Sequence, residues 1–186
     1  MPVNQWLASG KNIMESSRKK VLEKMHRGLI SYKLLGEGWD VCEHFGDGYD
    51  LIAEKNGKSI KIELKAVDLN SIKKGKNATQ HISANELVTS THLIVTVFQD
   101  IELLGNYIMS IRQFVENSGV KKYNKYSSYN AFLIDYRQLS KDKSEQVKNS
   151  GKKIERLDFD LSFNPNKIEK WKFYKFKNQW KNLEKG

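Results

Sequence analysis

Cysteine and proline are scarce in this chain: one and two among 186 residues. A single thiol, Cys42, excludes an internal disulfide framework and fits a reducing compartment. Its place in the apolar run Trp39 to Cys42 predicts a buried strand residue. No apolar run approaches the ~20 residues of a transmembrane helix, and the N-terminal stretch lacks the apolar core of a secretory signal. A soluble, cytoplasmic protein with no membrane partner is expected. Acidic residues are also few, 22 against 32 lysines and arginines, which leaves a formal net charge of +10. That excess points to a polyanion, with nucleic acid ahead of an anionic membrane surface. The length suits a core domain over residues 1–140 with a basic, aromatic-rich C-terminal helical extension over 141–186 packed on it.

What is present organises itself by periodicity. Val21, Met25, Leu29, Ile30 and Leu34 keep helical spacing, so a long helix is predicted from about Lys11 to Leu35, stopped by Gly36 and Gly38. A short strand follows over Trp39 to Glu43. Asp68 to Asn77 reads as a basic loop. Ser83-Ala-Asn-Glu86 is a capping box that should open a short helix, and Ser110-Ile-Arg-Gln113 is a second. Between them, His92 to Phe98 is apolar and β-branched enough for a central strand, with Asn106 to Met109 as its neighbour. Residues 120–130 read as a surface loop, Ala131 to Asp135 as a strand, and Ser140 to Lys153 as an exposed helix or connection. Asn164-Pro165 then predicts a cap and first-turn proline for a final helix, Asn166 to Leu183. That segment interleaves Trp171, Phe173, Tyr174, Phe176 and Trp180 with six lysines. The order implies an α/β sandwich around a mixed sheet.

The richest stretch is Gly48 to Lys65. Asn56-Gly57 between two alternating runs predicts a hairpin with a type I′ turn, whose two central residues need φ > 0. Lys55 then pairs with Lys58, and counting back sets Asp50 opposite Glu63. Leu51, Ala53, Ile60, Ile62 and Leu64 fall on one face, and Asp50, Lys61, Glu63 and Lys65 on the other. Like charges opposed about 5 Å apart destabilise a strand pair. A cation between them removes the conflict, and hard oxygen ligands suit Mg²⁺. The alternative for the same pattern is a solvated face on which Glu63 pairs with Lys61 or Lys65, at under about 1 kcal/mol.

Asp50, twelve intervening residues, then Glu63-Leu-Lys65 is a D-x(n)-E-x-K arrangement. Two carboxylates can share one Mg²⁺, which polarises a phosphodiester and lowers the pKa of a bound water. Lys65, on the face of Glu63, can orient or help deprotonate that water. The carbonyl of Leu64 is a candidate third ligand, freed by a bend at the strand end.

These residues resemble the PD-(D/E)XK nuclease superfamily, the restriction-endonuclease-like fold. The likeness is carried by the long helix, Gly38-Trp-Asp-Val41, Gly48-Tyr-Asp-Leu-Ile52, Ile60-Lys-Ile-Glu-Leu-Lys-Ala66 and His81-Ile-Ser-Ala-Asn-Glu-Leu87, and covers roughly residues 15–112. It implies a Mg²⁺-dependent endonuclease acting on DNA, with Mn²⁺ able to substitute. Asp50, Glu63 and Lys65 match the family's catalytic core, and Gln80 stands where several members place a polar residue near the phosphate. Two departures stand out. Tyr49 replaces the proline before the aspartate, and Arg27 falls where many members carry a first-helix glutamate, with Glu23 one turn earlier.

Other basic groups are candidate DNA contacts: Lys73, Lys74 and Lys76 on the loop, His81 after the motif strand, and Lys172 and Lys175 in the last segment. The four histidines have no spacing suited to zinc. A homodimer would suit cutting of both strands of a duplex. Alternatives within the same resemblance are a Holliday-junction resolvase-type nuclease and a catalytically inactive DNA-binding module.

Overall fold

The computed structural model describes residues 3–46, 48–100, 102–118 and 159–184. Helix α1 runs Val3–Gly36, and the chain leaves it through Gly38 at φ +79°. Strands β1 (Asp40–Glu43), β2 (Leu51–Lys55) and β3 (Lys58–Asp68) follow, then β4 (Ala78–Ile82), α2 (Ala84–Thr89), β5 (His92–Gln99), β6 (Glu102–Ser110) and α3 (Ile111–Ser118). A last strand, β7 (Phe159–Phe163), precedes three short 3₁₀ turns. The main sheet has the order β1-β2-β3-β5-β6; β3 and β5 are parallel and the other neighbours antiparallel. The expected mixed α/β sheet flanked by helices is thus observed, with the motif hairpin inside it.

The hairpin forms as its turn requires. Asn56 and Gly57 take φ of 52° and 77°, and Lys55 pairs with Lys58. Leu51, Ala53, Ile60 and Ile62 are buried with Ile30 and Leu34 of α1, and Leu64 packs against them. On the opposite face, Leu93, Val95 and Val97 of β5 are buried with Leu87 of α2, Phe114 of α3 and Phe173. Both capping boxes close: Ser83 with Glu86, and Ser110 with Gln113.

Several expectations are corrected. The buried stripe of α1 is His26, Ile30 and Leu34, at i, i+4 and i+8, whereas Val21 is 66% and Leu29 42% exposed. Cys42 is exposed, because β1 is the sheet's edge strand and is exposed along most of its length. Ala78–Ile82, which no periodicity marks, pairs with β7 in a second two-stranded sheet.

The last segment is no continuous helix. Asn164 does cap Pro165, but Lys167 (φ −142°) and the extended Trp171 and Lys177 break the run. The burial of Trp171, Phe173 and Phe176 on the sheet's α3 side, and of Leu183 on its α1 side, demands an irregular path that helical spacing could not give. The expectations for residues 120–130, 131–135 and 140–153, and the boundary at residue 140, lie outside the described residues. Among the described residues no helix is long and apolar enough to cross a membrane.

Candidate active site

The ladder between β2 and β3 ends at Leu51 and Ile62. One residue further back, the Asp50 N–H donates to the Ile62 carbonyl (2.9 Å), so Asp50 lies beside β3, but the ladder does not extend to the expected pairing of Asp50 with Glu63. Its side chain bends over that edge. Oδ2 accepts the Leu64 N–H at 2.8 Å, and Oδ1 takes the Arg27 guanidinium at 2.6 Å. Period-two backbone geometry turns the Leu64 carbonyl to the same edge as its N–H. No bend in β3 is what frees this carbonyl, contrary to expectation. β3 continues to Asp68, and the edge opens because β2 ends.

Glu63 lies on the face of β3 opposite Ile62 and Leu64, is paired across to Leu93, and is only 5% exposed. Its Oε1 meets the Lys65 ammonium at 2.8 Å, and the same ammonium lies 3.0 Å from Glu86 Oε2. Glu86 is held in turn by the Ser83 N–H at 2.8 Å, so the capping box of α2 also positions Lys65. Burial pushes the Glu63 carboxyl up to about 8; Lys65 pulls it down, but Asp50 and Glu86 push it up further. For Lys65, burial opposes the charge, yet Glu63 and Glu86 more than offset it and hold the ammonium above its usual range. The two directions look opposed for an ion pair. They agree once three carboxylates are seen to compete for one ammonium: Lys65 keeps its proton and Glu63 is the acid left short of compensation.

All of this lines one cleft of about 720 Å³ between α1, the β3 edge and α2. Asp50, Glu63, Leu64, Lys65 and Gln80 all border it, Gln80 tethered through Nε2 to the Ala66 carbonyl at 2.9 Å. Its wall carries five carboxylates (Glu23, Asp50, Glu63, Asp68, Glu86) against three cations (Arg18, Arg27, Lys65). The cleft is therefore acidic on a chain whose net charge is +10.

The other sequence candidates are elsewhere. Lys73, Lys74 and Lys76 are exposed on the loop before β4 and do not border the cleft. His81 is exposed on β4, one residue past Gln80 and on the opposite face, and does not border it either. Lys172 reaches the Ser118 carbonyl and Lys175 the Asn117 side chain, tying the last segment to α3.

No protein-family model and no curated protein matches the chain. Among solved structures it is similar to a bacterial homing endonuclease, I-Ssp6803I, at 14% identity and TM-score 0.49, over 88% of this chain and 91% of that one. It is also similar to Hjc, a Holliday junction resolvase from the archaeal hyperthermophile Archaeoglobus fulgidus. That match has 14% identity and TM-score 0.34, over 48% of this chain and 72% of that one. The first is an endonuclease by name and the second a resolvase. At these scores neither decides the fold or the site, which rest on the strand order and geometry above.

Three participants were hidden from the motif. Arg27 binds Asp50, and its Nη1 also lies 3.8 Å from Glu43. Arg18 pairs with Asp68 at 2.9 Å. Glu86 looked like a helix cap alone; an N3 glutamate opening the helix after the motif strand was the signal available.

Proposed function

We propose that this protein is a metal-dependent endonuclease that hydrolyses DNA phosphodiester bonds in the cleft of Asp50, Glu63 and Lys65. The observation that carries this is that one cleft brings together two carboxylates, Asp50 just before β2 and the buried Glu63 of β3, beside an ammonium that keeps its proton. The donor set fits Mg²⁺. Among the described residues no three His, Cys, Asp or Glu side chains group as metal ligands. Mg²⁺, however, is usually held by one or two carboxylates together with water and substrate phosphates. Asp50, Glu63 and the Leu64 carbonyl would hold it, with Mn²⁺ able to substitute. When bound, the ion supplies Lewis-acid polarisation of the phosphate and a more acidic water.

The chain's own residues do the rest. Lys65, charged and anchored by Glu86, donates hydrogen bonds to the attacking water and to charge developing on phosphate. Retention of its proton makes it a positioning and electrostatic group rather than the base. Gln80 offers an amide beside the same wall. The exposed Lys73, Lys74 and Lys76 on the loop before β4 would supply salt-sensitive attraction for the DNA backbone. A cytoplasmic location and a symmetric pair of copies suit this role.

A second reading is favoured by one observation: Arg27 already sits on Asp50, so a cation is present without a metal. On that reading the protein holds DNA without cutting it. The two are separated by incubating supercoiled plasmid and four-way junctions with Mg²⁺, Mn²⁺ or chelator, for the native chain and Glu63→Ala. Metal-dependent cleavage lost in Glu63→Ala is the expected result. Binding without cleavage supports the second reading, and cleavage that survives Glu63→Ala puts the chemistry elsewhere.

A further inference from the structure

The connection between β1 and β2 carries a feature the hydrolytic cleft leaves unused. Phe45 is 87% exposed, the most exposed of the large apolar side chains among the described residues. Leaving a phenylalanine in water forgoes roughly 1.5–3 kcal/mol of burial. A loose loop could fold it away; this one is pinned at its base. The His44 N–H donates to the Asp50 carbonyl at 2.8 Å. Gly48, at φ +111°, gives its carbonyl to Thr89 Oγ1 (2.8 Å) and Ser90 Oγ (3.1 Å) at the end of α2. The rings of His44 and Tyr49 stack 4.1 Å apart at 20°, and the Lys61 ammonium lies 5.1 Å from the Tyr49 ring. Phe45 therefore projects from a braced platform that ends on Asp50 itself.

We infer that Phe45 is a stacking site for an unpaired nucleobase next to the bond being cut, with Lys61 contacting a neighbouring phosphate. Taken with the nuclease assignment on which it rests, this makes the preferred substrate a polynucleotide whose strand leaves its partner at the cleavage point: a gap, flap or branch. Stacking needs an exposed π-face and tolerates any base, and Phe45 presents such a face beside the backbone of Asp50. Lys61 shares the β3 face of Glu63 and Lys65, and two residues of strand separate successive side chains by about 7 Å. An ammonium is thus one step along the strand from the reacting site. The aromatic step lies beside it on the Asp50 side. A protein partner docking on Phe45 would use the same ring but has no use for the lysine and the acidic cleft together.

The test reads binding apart from cutting. Fluorescence anisotropy in chelator compares a duplex containing a three-nucleotide gap, with 2-aminopurine in the unpaired stretch, against the fully paired duplex. The native chain should prefer the gapped duplex by about tenfold, within the range one base–aromatic stack supports. Binding should also quench the 2-aminopurine. Phe45→Ala should lose both the preference and the quench while keeping paired-duplex affinity, and Phe45→Trp should keep all three. Equal affinity of the native chain for both duplexes, or an unchanged preference in Phe45→Ala, overturns the inference. If the native chain cuts DNA in the plasmid assay while Phe45→Ala binds like it, only this inference fails. Failure to bind or cut any DNA removes the nuclease assignment as well.

Discussion

Replacing Glu63 by glutamine keeps the size and hydrogen-bonding shape of the side chain and removes its titration. In the metal-free protein the Glu63 carboxyl is raised from 4.5 to about 8, chiefly by burial. The folded state therefore favours the protonated form. The stability this contributes is complete below pH about 4.5 and drains away as pH rises through about 8. A tenfold change in proton affinity corresponds to about 1.4 kcal/mol, so the whole effect, with the opposing pull of Lys65 already included, is on the order of 5 kcal/mol. Urea unfolding of the native chain and Glu63→Gln, in chelator at pH 5, 7 and 9, isolates this contribution as a difference between the two proteins. The native chain should lose ground to the variant from pH 5 to about 8, and the difference should level off by pH 9. Millimolar Mg²⁺ should restore the native chain alone at pH 8, because ligand binding to the folded state stabilises it by mass action. A pH-independent difference, or a native chain that gains with pH, would mean Glu63 is held as an anion by Lys65 and the reasoning about a buried acid is wrong.

Other outcomes follow from the same geometry. Arg27→Ala removes the guanidinium that competes for Asp50, so Mn²⁺ should bind roughly fivefold tighter by titration, about 1 kcal/mol; unchanged affinity would separate Arg27 from the metal site. Glu86→Ala opens the capping box of α2 and strips Lys65 of one carboxylate. It should lower stability by about 1 kcal/mol, seen as a Tm shift of roughly 2–4 °C. It should also slow cleavage more than it weakens DNA binding. His26, buried and bonded to Thr96 Oγ1 at 2.6 Å, has its pKa lowered to about 4 by burial and then by Arg27. Its ring signals should stay flat from pH 5 to 8 by NMR, and the stability it contributes should be lost only as pH falls from about 6.5 through 4.

Local chemistry made part of this molecule legible in its sequence. Asn56-Gly57 dictated a turn, the turn dictated the register, and the register brought Asp50 to the end of the ladder beside β3, next to Ile62. The two capping boxes marked helices whose length was set by what they pack on. Where partners are distant in sequence, the pattern failed. Among the described residues β4 pairs with β7, with His81 opposite Asp160, and nothing near residue 81 announces a strand without that partner. The tail's aromatics at 171, 173 and 176 follow neither helical nor strand spacing, because each fills a gap in a core made by other elements. In α1 the apolar positions Val21 and Leu29 suggested one face, but the sheet took His26, Ile30 and Leu34. A histidine in that stripe hid the true face, and its bond to Thr96 of β5 is what makes its burial tolerable.

Within the cleft, the carboxylates were visible as letters and their companions were not. Arg27 stands 23 residues from Asp50 in sequence and meets it only through the packing of α1 on the sheet. That contact makes the occupancy of Asp50 the point on which everything turns. Anomalous diffraction from crystals of the native chain grown with Mn²⁺ and a DNA oligonucleotide addresses it directly. A manganese peak bonded to both Asp50 and Glu63, with the Arg27 guanidinium moved from Asp50 to a phosphate, is the predicted result. Arg27 still seated on Asp50, with DNA bound and no manganese at Glu63, would contradict it.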